Sequence, residues 1–331
     1  MTDTTIRTPE LENEHTFDEA VHETESEISR QLKNTPDVIK RLSGHLSRAA
    51  GKNIRAKSLL ACALRHDGHI AGDAVKIAAA VELLHLATLV HDDIIDDAAS
   101  RRGIETLHRR FGEKAAILCG DYLFCLALEL ASTVKPREER RMLAPKTLPG
   151  YLTDVLTGEM RQNENNRNFA LTERQYLKII SGKTAAMFEA SFYAGFLLSD
   201  EPGSLENDYL EIGRSLGIIF QLADDCADYE ATQKSTRKPV LSDFRTGVVT
   251  LPLIYALKSD KSLYARIKSG ISPQELKNAV ETTGGLRDTH LRISEYFYKT
   301  KKRLAALPIS PEKKDRLTMI LEKAAGMSSE N

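Results

Sequence analysis

Two apolar stretches of this chain end in the same acidic grouping, and that repetition restricts the fold more than any other feature. The first reads VELLHLATLVHDDIIDDAASRRG over Val81–Gly103, and the second reads IGRSLGIIFQLADDCADYE up to Glu230. In each, apolar residues recur at helical spacing and three carboxylates occupy the exit turn. These are Asp92, Asp93 and Asp96 in the first stretch, and Asp224, Asp225 and Asp228 in the second. Residues four apart on a helix share a face, so the first and last carboxylate of each set stack on one side. Crowded carboxylates beside an apolar wall repel one another, and a hard divalent cation relieves that cost. Mg²⁺ suits the arrangement, because it takes one or two carboxylates together with substrate phosphate oxygens. Arg101 and Arg102 follow the first set directly, and planar guanidinium groups grip phosphate bidentately. A lone acidic turn is ordinary solvated surface. Two matching turns on two apolar helices point to a shared metal–phosphate site between them.

Helical periodicity runs through the rest of the chain. Polar amphipathic helices are expected over residues 16–34 and 35–50, then a helix over 53–66 that opens with Lys52 and Arg55. Backbone N–H groups at a helix start already favour an anion, so basic residues there suit anion binding better than capping. Further helices are expected over 73–96, 115–134, 136–160, 172–198 and 204–230, with VVTLPLIYAL and three more segments completing the chain. No segment alternates as a strand. The expected fold is therefore all-α, a single-domain bundle of long helices around a deep cavity. Roughly 25 residues at ~1.5 Å each make helices about 37 Å long, deep enough for an extended apolar molecule.

Composition narrows the function classes. Residues 1–15 are polar and unpatterned and are expected to be disordered, leaving 16–331 as one helical domain. A formal net charge of −1 among 331 residues gives no basis for nucleic-acid binding. The four cysteines, Cys62, Cys119, Cys125 and Cys226, lack metal-ligand spacing and fit a reduced, cytoplasmic protein. Glu82 and His85 interrupt the longest apolar run, so no membrane span is expected.

Several ordered motifs, taken together, resemble those of the all-trans polyprenyl diphosphate synthases, the chain-elongating prenyltransferases. HDDIID with RRG looks like the family's first aspartate-rich motif and FQLADDCADY like its second. GKNIR, GEMRQ, GKTA and GVVTLPLIYAL are similar to its remaining signatures. The resemblance implies that Lys52, Arg55, His85 and Arg102 hold the diphosphate of isopentenyl diphosphate. It implies Mg²⁺ at Asp92, Asp96 and Asp224, two or three ions in all, supported by Asp93, Asp225 and Asp228. Arg101, Lys183, Thr184, Gln221 and Lys238 would hold an allylic diphosphate, and a homodimer is expected, with a heteromer as the alternative. Three departures stand out: Ala56 and Glu105 replace common prolines, and RKPVLSD puts Arg237 and Leu241 where the family has loop glycines. A non-glycine residue resists positive φ, so the conformation of that loop is in question.

The implied chemistry is ionisation of an allylic diphosphate, attack by the isopentenyl double bond, and proton loss to the released diphosphate. In the family, an aromatic residue four or five positions before the first motif gives short products. Thr88 and Ala87 are small, so products longer than C15 are expected, with Val81, Leu84, Phe124 and Leu128 as candidate floor groups. Two rival readings remain. A terpene cyclase would use more aromatic faces than the 6% present here. A di-metal carboxylate protein could use two Glu-x-x-His pairs, Glu19–His22 and Glu82–His85. His91 either partners the carboxylates or packs between helices.

Overall fold

The structure, a computed structural model, describes residues 14–48, 51–134, 148–230 and 241–327. It is all-α. Among the described residues, sheet is confined to two antiparallel pairs, β1 (Glu14–His15) with β2 (Ile70–Ala71) and β3 (Ser100–Arg101) with β4 (Ile104–Glu105). The first pair ties down Glu14 and His15, which the sequence places in an unpatterned tail. Glu14 also forms an ion pair with Arg65, a contact invisible at the level of local pattern.

The helices are α1 (Phe17–Lys33), α2 (Asp37–Leu46), α3 (Ile54–Ala63), α4 (Gly72–Ile95), α5 (Leu107–Phe111), α6 (Glu113–Ser132), α7 (Leu148–Glu164), α8 (Glu173–Ile180), α9 (Ala186–Leu198) and α10 (Glu206–Glu230). There follow α11 (Ser242–Thr246), α12 (Leu251–Ser259), α13 (Ser262–Lys268), α14 (Pro273–Thr282), α15 (Gly285–Ala306) and α16 (Pro311–Ala324). Capping boxes open α1, α8 and α14, with Thr16, Thr172 and Ser272 each bonded reciprocally to the side chain three residues on. Residues 172–198 are expected as one α-helix. The structure instead inserts a turn of π-helix, Ser181–Ala185, between α8 and α9.

The described residues fall into two compact units, each drawn from three chain segments. One takes the described residues within Met1–Leu143, Ser191–Glu206 and Pro308–Arg316, and the other those within Ala144–Ala190, Asn207–Leu307 and Leu317–Asn331. In the first unit, α4 packs along α6 and against α1 and α3. Its buried side chains include Ala78, Ala80, Val81, Leu83, Leu84 and Ala87, none more than 1% exposed. Burying such residues contributes about 25 cal/mol per Å² of apolar surface, which makes α4 the core helix of this unit. By length and composition α4 and α6 could each cross a membrane, because Glu82 and His85 do not lower the mean over eighteen residues far enough. More than half of that α4 window is buried inside the protein, which is what a core helix shows.

Candidate active site

The acidic turn of α4 divides its carboxylates by burial. Asp93 is 6% exposed and accepts a 2.6 Å hydrogen bond from Nε of Arg101, whereas Asp92 is half-buried and Asp96 exposed. Arg101 reaches back because β3 and β4 form a two-residue hairpin whose corner residues, Arg102 and Gly103, both have positive φ, 51° and 81°. That corner favours glycine at both positions, so a left-handed Arg102 carries about 1–2 kcal/mol of strain. Retained strain of this kind concentrates at functional sites.

Arg102 joins a cluster of cations. An added Cβ on Gly51 would lie 2.8 Å from Nη1 of Arg102, so the start of GKNIR passes directly against this guanidinium. Arg55 is 8% exposed. Burial lowers the pKa of Arg55 and of Arg102, and their positive neighbours add to the shift. The balancing carboxylate is Glu82, which accepts a 2.9 Å bond from the Ala56 amide. Burial raises the Glu82 pKa, and the Ala56 bond and the two arginines oppose that rise. His85 is pushed well below the usual imidazole value, first by burial and then by Arg55, Arg102 and Arg101. A neutral imidazole and several close cations form a site that binding of a polyanion would relieve. Lys52 is exposed.

The acidic turn of α10 shows the same division. Asp225 is 2% exposed and takes a hydrogen bond from the Tyr176 hydroxyl and a 2.7 Å bond from Nε2 of Gln221. Gln221 in turn accepts a 2.6 Å bond from Thr184. Burial raises the Asp225 pKa, the Asp243 charge adds to it, and the two donors oppose the rise. Asp228 accepts from the backbone amides of Ser242 and Asp243 at 3.0 and 3.1 Å and from the Ser242 hydroxyl, so it closes the amino end of α11. Asp224 is exposed. Leu241 takes φ 58°, the left-handed value a loop glycine would supply, and has no solvent exposure. The turn therefore survives the glycine replacement. Left-handed strain of about 1–2 kcal/mol is offset by burial of a leucine side chain, worth about 1.5–3 kcal/mol. Lys238 and Arg237 lie outside the described residues.

Lys183 sits in the π-turn and forms a 2.8 Å ion pair with Glu159 of α7, both side chains about one-fifth to one-quarter exposed. Two glycines permit this. A Cβ on Gly158 would overlap the Lys183 amide nitrogen, and one on Gly182 would stand 2.8 Å from the Asp154 carbonyl. Backbone lies on backbone there, which fixes the π-turn against α7.

Of the six chain-length candidates, Val81, Leu84 and Ala87 are packed with at most 1% exposure, Thr88 and Phe124 are half-buried, and Leu128 is 36% exposed, which does not suit a cavity floor. Thr88 lies one helical turn before Asp92 on the same face. His91 resolves as a packing residue. Its ring fills the notch left by Gly120, reaches the Ile117 carbonyl at 3.2 Å, and lies 5.7 Å from the Phe124 ring. The Glu-x-x-His alternative loses its ligands, since Glu19 is spent in the capping box of α1 and Glu82 faces arginines. The local pattern did not single out Tyr176, Glu159 or Ser242 as site residues, because their partners lie far away in sequence, and it offered Glu82 only as a di-metal ligand rather than as the partner of the arginines. The motif GEMRQ contained Glu159 but gave it no task.

Among the described residues, the groups that bring three ligand atoms within 4.8 Å of one another are Glu14, Asp67, His69 and His66, Asp200, Glu201; neither acidic turn does so. That fits Mg²⁺, which takes few protein oxygens and completes its shell with water and phosphate, and fits poorly with a preformed all-protein cage.

The profile of the family described as polyprenyl synthetase matches residues 36–283. The chain is 32% identical over 294 residues to heptaprenyl diphosphate synthase component 2 of Geobacillus stearothermophilus, covering 86% of this chain and 89% of that one. The solved heptaprenyl diphosphate synthase of Staphylococcus aureus superposes with TM-score 0.84 at 27% identity, covering 94% and 98% of the two chains. A polyprenyl synthase from Caulobacter crescentus, solved in complex with calcium and isoprenyl diphosphate, has TM-score 0.80 at 28% identity, covering 94% and 97%. A profile match over most of the sequence and a shared all-α fold establish that the chain belongs to the polyprenyl synthetase family, and that it is a prenyltransferase.

Proposed function

We propose that this protein condenses isopentenyl diphosphate head-to-tail with an allylic diphosphate in the presence of Mg²⁺, giving all-trans products longer than C15. One observation carries the reading. Each acidic turn buries one carboxylate among protein donors, Asp93 beside Arg101 and Asp225 beside Tyr176 and Gln221, and Asp228 is held as well, by Ser242 and Asp243. The outer carboxylates Asp92, Asp96 and Asp224 are less buried. Those three are the proposed Mg²⁺ ligands, taking two or three ions together with diphosphate oxygens. When bound, Mg²⁺ supplies charge stabilisation for the departing diphosphate.

The protein's own side chains do the rest. Lys52, Arg55, Arg102 and neutral His85 are assigned to the isopentenyl diphosphate, whose charge relieves the repulsion within that cluster. Arg101, Lys183, Thr184, Gln221 and Lys238 are assigned to the allylic diphosphate. We assign the proton lost after coupling to the released diphosphate, since the apolar helix faces offer no base. Thr88 on the Asp92 face leaves room for a growing chain, in keeping with relatives named for heptaprenyl products.

The deciding experiment incubates the purified chain with labelled isopentenyl diphosphate and primers of each length in Mg²⁺ and sizes the products by chromatography. Asp92→Ala or Asp224→Ala is expected to lower elongation by at least about 100-fold, several kcal/mol of barrier, with the circular dichroism spectrum unchanged. Near-normal turnover in either variant defeats the assignment. A second reading, a subunit active only with a partner chain, draws on the relative named as a component 2. The exposed apolar residues of α6, Ile117, Leu118 and Leu128 at 44%, 64% and 36%, supply a face for self-association in the homodimer we favour. Light scattering on the active preparation separates the two.

A further inference from the structure

We propose that Glu159 is a positioning residue that aims the Lys183 ammonium, giving the acidic residue of GEMRQ a task in allylic diphosphate binding; this rests on the assignment of Lys183 above. The geometry is specific. Lys183 Nζ lies 2.8 Å from Glu159 Oε2, and Nε2 of Gln162 donates to Glu159 Oε1 at 3.4 Å. The two carboxylate oxygens therefore face different partners, and the glutamate cannot swing away without losing one of them. Both backbones that carry the pair are immobilised as well. Gly158 packs onto the Lys183 amide nitrogen and Gly182 onto the Asp154 carbonyl and Gly158 Cα, leaving no space for a side chain between α7 and the π-turn.

The π-turn gives this lock its purpose. A π-helical turn inserted in a longer helix alters the direction of the side chains it carries, and such turns are frequent at functional sites. Here it carries Lys183 and Thr184 together. A lysine is a flexible point charge with a long stem, and unlike arginine it brings no planar geometry of its own. Directing it needs an external partner, and Glu159, 2.8 Å away, supplies one. Both side chains keep some exposure, so the ammonium can add phosphate oxygens while retaining one bond to the glutamate.

The test is a double-mutant cycle on the full chain with steady-state kinetics for each substrate. Glu159→Ala is expected to raise KM for the allylic diphosphate about tenfold, the weight of a charge-assisted hydrogen bond. KM for isopentenyl diphosphate should stay within about twofold, below the tenfold that ~1.4 kcal/mol represents. Glu159→Gln, which keeps an acceptor for the ammonium, should recover most of the loss. In a Lys183→Ala background, Glu159→Ala should add nothing, because the pair acts as one unit. Additive losses, equal effects on both substrates, or a Glu159→Ala enzyme with unchanged or improved allylic KM would overturn the proposal. Unchanged allylic KM in Lys183→Ala alone would instead overturn the assignment beneath it. If Glu159→Ala fails to fold, Glu159→Asp, which shortens the reach by one methylene, carries the same cycle with a smaller expected loss.

Discussion

Single residues here do opposite jobs according to how deeply they sit. Asp93 and Asp225 lie inside hydrogen-bond frames, while Asp92, Asp96 and Asp224 keep more surface. His85 gives the clearest pH signature. Its folded pKa is depressed below the unfolded value of about 6.5, so between the two values the unfolded chain binds the extra proton. Its contribution to stability is complete above about pH 6.5 and falls as pH drops through that window. Melting temperature should thus decline more steeply below pH 6.5 in the parent protein than in His85→Asn; parallel curves would show that His85 does not titrate there. Leu241 tests a different balance. Leu241→Gly removes left-handed strain but also a side chain with no exposure, so a net loss of about 1 kcal/mol is expected in urea unfolding. A stabilised variant would mean that strain outweighs burial.

At the scale of elements, α4 and α10 carry the two acidic turns. Their positions were legible because an apolar 3.6-residue repeat followed by Asp-Asp-x-x-Asp is a strong local signal. Residues 73–96 were expected as a helix and Gly72–Ile95 is one. The π-turn was not legible, since SGKTA has no propensity that separates a π from an α turn; contact with α7 selects it. The face of α4 also sorts the length candidates. Ala87 is wholly packed, so Ala87→Phe is an overpacking change costing about 1–3 kcal/mol. Thr88 is half-buried one turn from Asp92, and Thr88→Phe should shorten the products while leaving primer use intact. An unchanged product ladder would remove Thr88 from the set of length determinants.

At the scale of the molecule, each compact unit is sewn from distant segments. In the first, a fully buried ion pair joins Lys313 of α16 to Glu201 at 2.7 Å. His66 meets Asp200 at 3.2 Å, and Arg316 lies 4.2 Å over the Phe17 ring. In the second, Arg214 meets Glu189 and Arg303 meets Asp208, each at 2.8 Å. Removing one member of a buried pair leaves an uncompensated charge, so Lys313→Met should cost about 3–5 kcal/mol in denaturant unfolding. The pair Lys313→Met with Glu201→Leu should cost clearly less, because no charge is left behind. A neutral Lys313→Met would show that Glu201 keeps adequate partners without the lysine.

The amino-acid sequence by itself determined the helices, the two acidic turns and the family, because periodicity and short motifs are local properties written within a few turns. Only the tertiary structure decided how deeply each carboxylate of the two turns is buried, that Leu241 adopts a glycine's conformation, and that Lys183 pairs with Glu159. Each of those depends on burial or on a partner brought close by folding, such as Tyr176 for Asp225 or α7 for the π-turn. Spacing along the chain carries no record of either.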